Sequence, residues 1–242
     1  MYFDQHEYDI RFEWGLSGVQ ALAPISDVVI IVDVLSFTTC VDIVVGNQGV
    51  VFPYKGKTEL LAGYADSVGA VYATRERDAV YSLAPSKLAK ISPGTRLVLP
   101  SPNGSTLSLA TGNVQTMAGC LRNAEAVAAK ANQLGKSITV IAAGERWWGD
   151  GLLRPGIEDL LGAGAIIAGL NGRLSPEAEL ALAAFRHAQP NLQDTLFRCG
   201  SGKELVGRGF EEDVQLAAQI NVSTAVPLLV NGAFADNSIP SL

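Results

Sequence analysis

Two hydrophobic rhythms alternate along the chain. Short apolar runs rich in valine and isoleucine are followed by longer stretches with apolar residues three or four apart. The run 27–35, DVVIIVDVL, is β-branched and nearly continuous, which predicts a strand covered on both faces. TTCVDIVVGN (38–47) then predicts a helix ending near Gly46. YDIRFEWGL (8–16) alternates apolar and polar residues, as an edge strand does. Further strands are predicted over 49–54, 70–74, 95–101, 113–119, 137–144 and 225–234. Helices are predicted over 57–69, 105–111, 123–135, 157–170 and 175–189, with two short ones within 199–221. Residues 75–94 read as irregular. This alternation predicts a layered α/β fold. The links are short, and no repeat or linker interrupts them, so residues 1–242 read as one compact domain.

Composition narrows the function. With 48% hydrophobic and 17% charged residues, the chain can bury a large core and is not disordered. A net charge of −6 gives no electrostatic reason to bind nucleic acid or an anionic membrane. A small anionic substrate would need local arginines, backbone amides or a metal to offset that charge. The apolar runs are too short to span a bilayer, and the charged, aromatic start does not read as a signal peptide. The three cysteines, Cys40, Cys120 and Cys199, cannot all pair and have no zinc-site spacing. They read as reduced thiols of a cytoplasmic protein.

Four places can carry chemistry. Asp33 interrupts the most apolar run near its C-terminal end, where α/β sheets bind ligands and a lone buried carboxylate is costly. LPSPNGST (99–106) runs from a strand through a tight turn into a helix start. There Ser101, Asn103, Gly104, Ser105 and Thr106 can form an oxyanion cradle, though the same residues are good turn and cap chemistry. GCLRNAEAV (119–127) repeats the layout and offers Arg122 and Asn123 as a fork for phosphate oxygens, or as surface groups. In AGERWWGDGLLRPGIEDLLGAGAII (143–167), Glu158 and Asp159 occupy the first turn of a helix, where the macrodipole alone would stabilise them by ~0.3–1 kcal/mol each. Adjacent helical side chains lie ~100° apart, so one of the two is expected to face inward beside the stripe formed by Ile157, Leu160 and Leu161. Asp33 with Glu158 or Asp159 would suffice to bind Mg²⁺, which takes one or two carboxylates plus waters and substrate phosphate. Glu145 is an outer or third ligand in that reading.

Other phosphate chemistries lack their motifs. CGSGKE has Phe197 where a P-loop needs its first glycine, and Glu204 follows the lysine in place of Ser or Thr. No cysteine has an arginine six positions on. His6 and His187 do not support a Ser-His-Asp triad. Leu35 stands where an Asp-x-Asp motif needs its second acid, and no GxGxxG follows a strand.

The order of these segments resembles the 2-phosphosulfolactate phosphatase (ComB) family. VDVLSFTT (32–39) stands where members have Asp-Val-Leu-Arg-Ala-Thr-Thr, and SPNGST matches a Thr-Asn-Gly-Thr turn. GCLRNA matches Gly-Ser-Phe-Leu-Asn-Ala, and the segment 142–167 matches Cys-Ala-Gly followed by Glu-Asp-x-x-x-Ala-Gly-Ala-Ile. GFEED, a helix and Val-Pro match the family's ending. The resemblance implies a three-layer α/β/α fold with a mixed, largely parallel sheet. It also implies a Mg²⁺-dependent hydrolase that converts 2-phosphosulfolactate to 3-sulfolactate and phosphate, a step toward coenzyme M. Ser36 stands in place of the family arginine, and the stretch RERDAVYSLAPSKL is shortened. A charge-assisted contact to a dianion then falls to Arg122, Arg75 or Arg146. In the resulting reading Asp33 and Glu158 hold Mg²⁺, or Asp33 acts as nucleophile. Asn103 and the 103–106 amides, with Arg122, hold phosphoryl oxygens. The partners are a small anionic phosphorylated substrate and a possible second copy in a homodimer. The competing expectation is a non-catalytic α/β protein that binds a small anionic metabolite.

Overall fold

The computed structural model describes residues 3–74 and 79–236. One group of parallel strands holds β1 (Ile10–Trp14), β2 (Val28–Val32), β6 (Gln115–Gly119) and β7 (Ile138–Ala142). A second parallel group holds β3 (Val50–Tyr54), β4 (Val71–Tyr72) and β5 (Arg96–Pro100). The hairpin β10 (Pro227–Val230) and β11 (Ala233–Asp236) joins the groups and runs antiparallel to both neighbours. The result is a nine-stranded sheet in the order β1-β7-β2-β6-β10-β11-β3-β5-β4. A separate ribbon pairs β8 (Glu145–Arg146) with β9 (Leu153–Arg154).

The expected edge position of the first strand is the one β1 takes. The run 225–234, expected as a single strand, is the hairpin. Asn231 and Gly232 have φ of 52° and 81°, the pair of positive values that a tight two-residue hairpin turn requires.

Helices cover both faces of the sheet. Val28, Ile30 and Val32 point to one face, where they meet α6 (Ala124–Leu134), α7 (Ile157–Ile167), α8 (Pro176–Ala188), α9 (Leu192–Arg198) and α11 (Glu211–Ala217). Val29 and Ile31 point to the other, onto α1 (Gly15–Leu22) and α5 (Gly104–Ser108). This two-residue alternation inside an all-apolar run is what a strand buried on both faces produces. In the second group, Val51, Leu97 and Leu99 pack on α2 (Phe37–Gly46) and α4 (Pro85–Leu88), while Phe52 and Val98 pack on α3 (Leu61–Ser67). The last helix, α10 (Gly200–Gly207), packs beside α9 and α11. The fold is therefore a three-layer α/β/α sandwich with a mixed, mostly parallel sheet.

The direction reversal at the hairpin shapes the site. Three antiparallel pairings separate β2 from β5, so a flat sheet would put their C-terminal ends on opposite edges, about 24 Å apart at ~4.8 Å per strand. Yet Gly104, four residues past the end of β5, donates its N–H to Asp33, one residue past β2, at 2.8 Å. Four residues reach at most about 14 Å. The sheet must curl and twist to close that gap, and ~20–25° of twist per strand over five intervals turns the two ends toward one another.

Candidate active site

Asp33 is 5% exposed, and three elements hold it in place. The Phe37 N–H at the start of α2 donates to Oδ1 (3.2 Å) and the Gly104 N–H at the start of α5 to Oδ2 (2.8 Å); the Ser101 hydroxyl lies 3.5 Å from Oδ2. The Thr38 hydroxyl closes the turn by bonding the Asp33 carbonyl and accepting its N–H. Gly104 has to be glycine, because a Cβ there would lie 2.2 Å from the Phe37 ring and 2.8 Å from Asp33 Oδ2. Burial pushes the Asp33 carboxyl up to about 6 against those hydrogen bonds, and the nearby Glu158 adds to the rise.

The acids of α7 meet this strand tip from the other side. Asp159 accepts the Val34 N–H (2.7 Å) and the Gly144 N–H (2.8 Å), and so ties α7 to the ends of β2 and β7. Burial, then Glu158 and Asp33, raise its pKa. Glu158 is 1% exposed and its Oε2 accepts the Cys199 S–H at 3.4 Å. Both acids therefore face inward, where the helical spacing predicted one, and Ile157 is the residue turned out at 48% exposure. The two backbone N–H groups that need an acceptor explain why Asp159 joins Glu158 inside.

Asp33 and Glu145 line a cavity of about 520 Å³ together with Ser36, Ser101, Asn103 and Ser201. Asn103 Nδ2 donates to Glu145 Oε2 at 3.1 Å. Burial pushes Glu145 up to about 7, and the charge on Asp33 adds to it. The opposite wall carries Lys87, Glu204, Arg208 and Asp213. Asp213 accepts the Ser86 N–H at the start of α4 and so fastens α11 to that wall.

Several residues read as phosphate-binding from sequence sit elsewhere. Arg122 Nε pairs with the buried Asp42 on α2 at 2.9 Å, and its Nη1 donates to the Leu216 carbonyl and to Gln219. Asn123 is wholly buried, accepts the Cys120 N–H and donates to the Ala118 and Ala225 carbonyls. Ser105 donates to the Leu99 carbonyl. Thr106 lines a smaller neighbouring pocket of about 240 Å³. Of the cations named as replacements for an arginine at position 36, Arg146 is exposed and bonds the Gly151 carbonyl, and Arg75 lies outside the described residues. Sequence reasoning missed Lys87, Ser201, Arg208 and Asp213. Only Asp213 had a signal, as an acid in the first turn of a helix within the family-like ending.

The donors suit a hard divalent cation. Burial first, and a neighbouring carboxylate after it, raise Asp33, Asp159 and Glu145, and a bound cation would offset both causes. These oxygens do not form an all-protein cage. Among the described residues, the set of three donor groups within 4.8 Å of one another is Asp4, His6 and Glu7, at the start of the chain. A cation held by one or two carboxylates, water and a substrate oxygen asks for no cage.

Comparison with known proteins gives the same direction throughout. A family described as 2-phosphosulpholactate phosphatase matches residues 19–232. A 2-phosphosulfolactate phosphatase of Methanothermobacter thermautotrophicus is 33% identical over 139 residues, 57% of this chain and 58% of that protein. A probable 2-phosphosulfolactate phosphatase of Carboxydothermus hydrogenoformans is 31% identical over 137 residues, 55% of each chain. One of Pseudothermotoga lettingae, also described as probable, is 24% identical over 139 residues, 57% of this chain and 59% of that protein. The matched stretch thus spans less than two thirds of each relative's length.

Proposed function

The chain belongs to the 2-phosphosulpholactate phosphatase family, and from that premise we propose that it hydrolyses the phosphoester of 2-phosphosulfolactate or a closely related phosphorylated hydroxy acid. The products are the free hydroxy acid, 3-sulfolactate for the first substrate, and phosphate. The observation that carries the reading is the meeting of Asp33 and Glu145 on one cavity edge, from a strand tip and a hairpin, with the buried Glu158 of a helix start close enough to raise the pKa of both.

Mg²⁺ is the cofactor this donor set suits. Asp33 and Glu158 would hold it, with Glu145 or Asp159 as an outer or third partner. Such an ion supplies charge neutralisation at the phosphoryl oxygens and an ordered water. The chain's own residues do the rest. Backbone N–H bonds hold Asp33 still at the cavity edge. Where Asp159 is the ion's outer or third partner, Glu145, with its pKa pushed up to about 7 and steadied by Asn103, can hand a proton to the departing hydroxyl oxygen. Ser101 and Ser201 offer hydroxyl donors to the anion.

The test is phosphate release from 2-phosphosulfolactate and from an aryl phosphate, with Mg²⁺ or with EDTA. EDTA should abolish release. Asp33→Asn should lower it by at least about a hundredfold, whether Asp33 holds a metal or attacks phosphorus. Undiminished turnover by Asp33→Asn overturns the reading. So does a wild-type protein that binds these esters and releases nothing, which is the behaviour of a metabolite-binding protein.

A further inference from the structure

Glu145 and Arg154 face each other across the β8–β9 ribbon. Directly opposed residues share a face, with Cβ atoms ~4.5–5.5 Å apart, and opposite charges so placed ordinarily pair. These do not. Glu145 turns to Asn103, and Arg154 makes no ion pair within 4.0 Å with any carboxylate among the described residues. Arg154 instead reaches the start of α10, where Nη2 donates to Ser201 Oγ at 3.0 Å. Gly200 makes room for it, since a Cβ there would lie 3.2 Å from Nη1. The Trp147 ring flanks the guanidinium, its centroid 6.0 Å away.

Arg154 is thus a half-buried cation fixed at one corner, with most of its N–H donors uncommitted. Its anchor, Ser201, is 5% exposed and lines the cavity beside Glu145. That cavity's wall carries Asp33, Glu145, Glu204 and Asp213 against Lys87 and Arg208, and Arg208 is paired with Glu204, so a polyanionic substrate gains from a further fixed cation at its border. The planar guanidinium fork matches two oxygens of an oxyacid.

We propose that Arg154, anchored by Ser201, is the specificity-determining residue that binds the substrate's non-reacting acid group, a carboxylate or sulfonate beside the phosphoester. The assignment rests on the phosphatase reading for the place of the phosphoryl group, at Asp33 and Glu145. It restricts good substrates to phosphorylated hydroxy acids and makes simple phosphate esters poor ones.

The test compares wild type with Arg154→Ala, Arg154→Lys and Ser201→Ala. For each, kcat/KM is measured for phospholactate (carboxylate alone), phosphosulfolactate (carboxylate and sulfonate) and an aryl phosphate lacking a second acid. Arg154→Ala should lower the ratio of acid-bearing to aryl ester ten- to a hundredfold, mainly through KM, as loss of charged hydrogen bonds predicts. Lysine should restore part of the ratio, because it keeps the charge and loses the fork. Ser201→Ala should move it the same way by less. Equal losses for the two acid-bearing esters assign the site to their shared carboxylate, and a loss confined to phosphosulfolactate assigns it to the sulfonate. A ratio within twofold of wild type in Arg154→Ala, with an unchanged melting temperature, overturns the assignment. Tryptophan fluorescence titrated with lactate and 3-sulfolactate separates this from failure of the phosphatase reading. Binding present in wild type and lost in Arg154→Ala upholds the site even if no ester is hydrolysed. No binding of either acid by wild type overturns it.

Discussion

Asp42 lies wholly inside α2, and Arg122 reaches it from the end of β6. Burial pushes this carboxyl up, while Ser223 and Arg122 pull it back. Removing one member of such a pair leaves a charge in the core, which costs about 3–5 kcal/mol. Arg122→Ala should therefore lower the urea midpoint strongly, and the double variant with Asp42→Asn should recover part of the loss. A stable Arg122→Ala protein that has lost phosphate release would instead return the arginine to the chemistry. Its position at a strand end before a helix invited the phosphate reading. The partner that claims it lies 80 residues earlier in an apolar helix, and no local pattern announces that pairing. Asp33 was readable for the opposite reason: a carboxylate inside a β-branched run needs a cause, and the cavity supplies it. For Cys199, whose thiol touches Glu158, the sequence offered nothing beyond a reduced thiol.

At the scale of elements, the strands with continuous apolar runs were legible, and so were helices with several large apolar residues. Helix α1 was not, because two of its four buried residues are Gly15 and Gly18, which add no hydrophobic signal. Helix α9 buries only Leu192 and Leu196. The β8–β9 ribbon pairs two residues a side, too few to show a period. The β10–β11 hairpin did carry a signal, the Asn-Gly pair inside an apolar run, and reading through it merged two strands into one. That turn sets the join between the two parallel groups. Gly232→Val forces a β-branched side chain to φ near 81°, and it should cost at least about 1–2 kcal/mol and lower the melting temperature by several degrees. An unchanged melting temperature would show that the join does not depend on this turn.

For the molecule as a whole, the buried acids set a pH dependence. Asp33 moves from 3.8 to about 6 and Glu145 from 4.5 to about 7 on folding, and Asp159 also rises. The folded state then keeps protons that the unfolded chain releases between about pH 4 and 7. The linked stability is present below pH 4 and lost as pH rises through 6 to 7. Without divalent ions, the melting temperature should be higher at pH 5 than at pH 8. At pH 8, Mg²⁺ at a hundred times its Kd should return about 2.7 kcal/mol. A flat profile from pH 5 to 8 would contradict the burial of these carboxylates. Among the described residues, no helix is long and apolar enough to cross a membrane.

The central hairpin also fixes an order of events during synthesis. Strands β10 and β11 leave the ribosome after every other strand described here, yet they stand in the middle of the sheet. Until they emerge, β6 and β3 each present an open edge to neighbouring chains, and the pairings that close them span more than a hundred residues. The nascent polypeptide is most prone to stick to its neighbours just before that ribbon appears, and the cavity cannot take shape before it does.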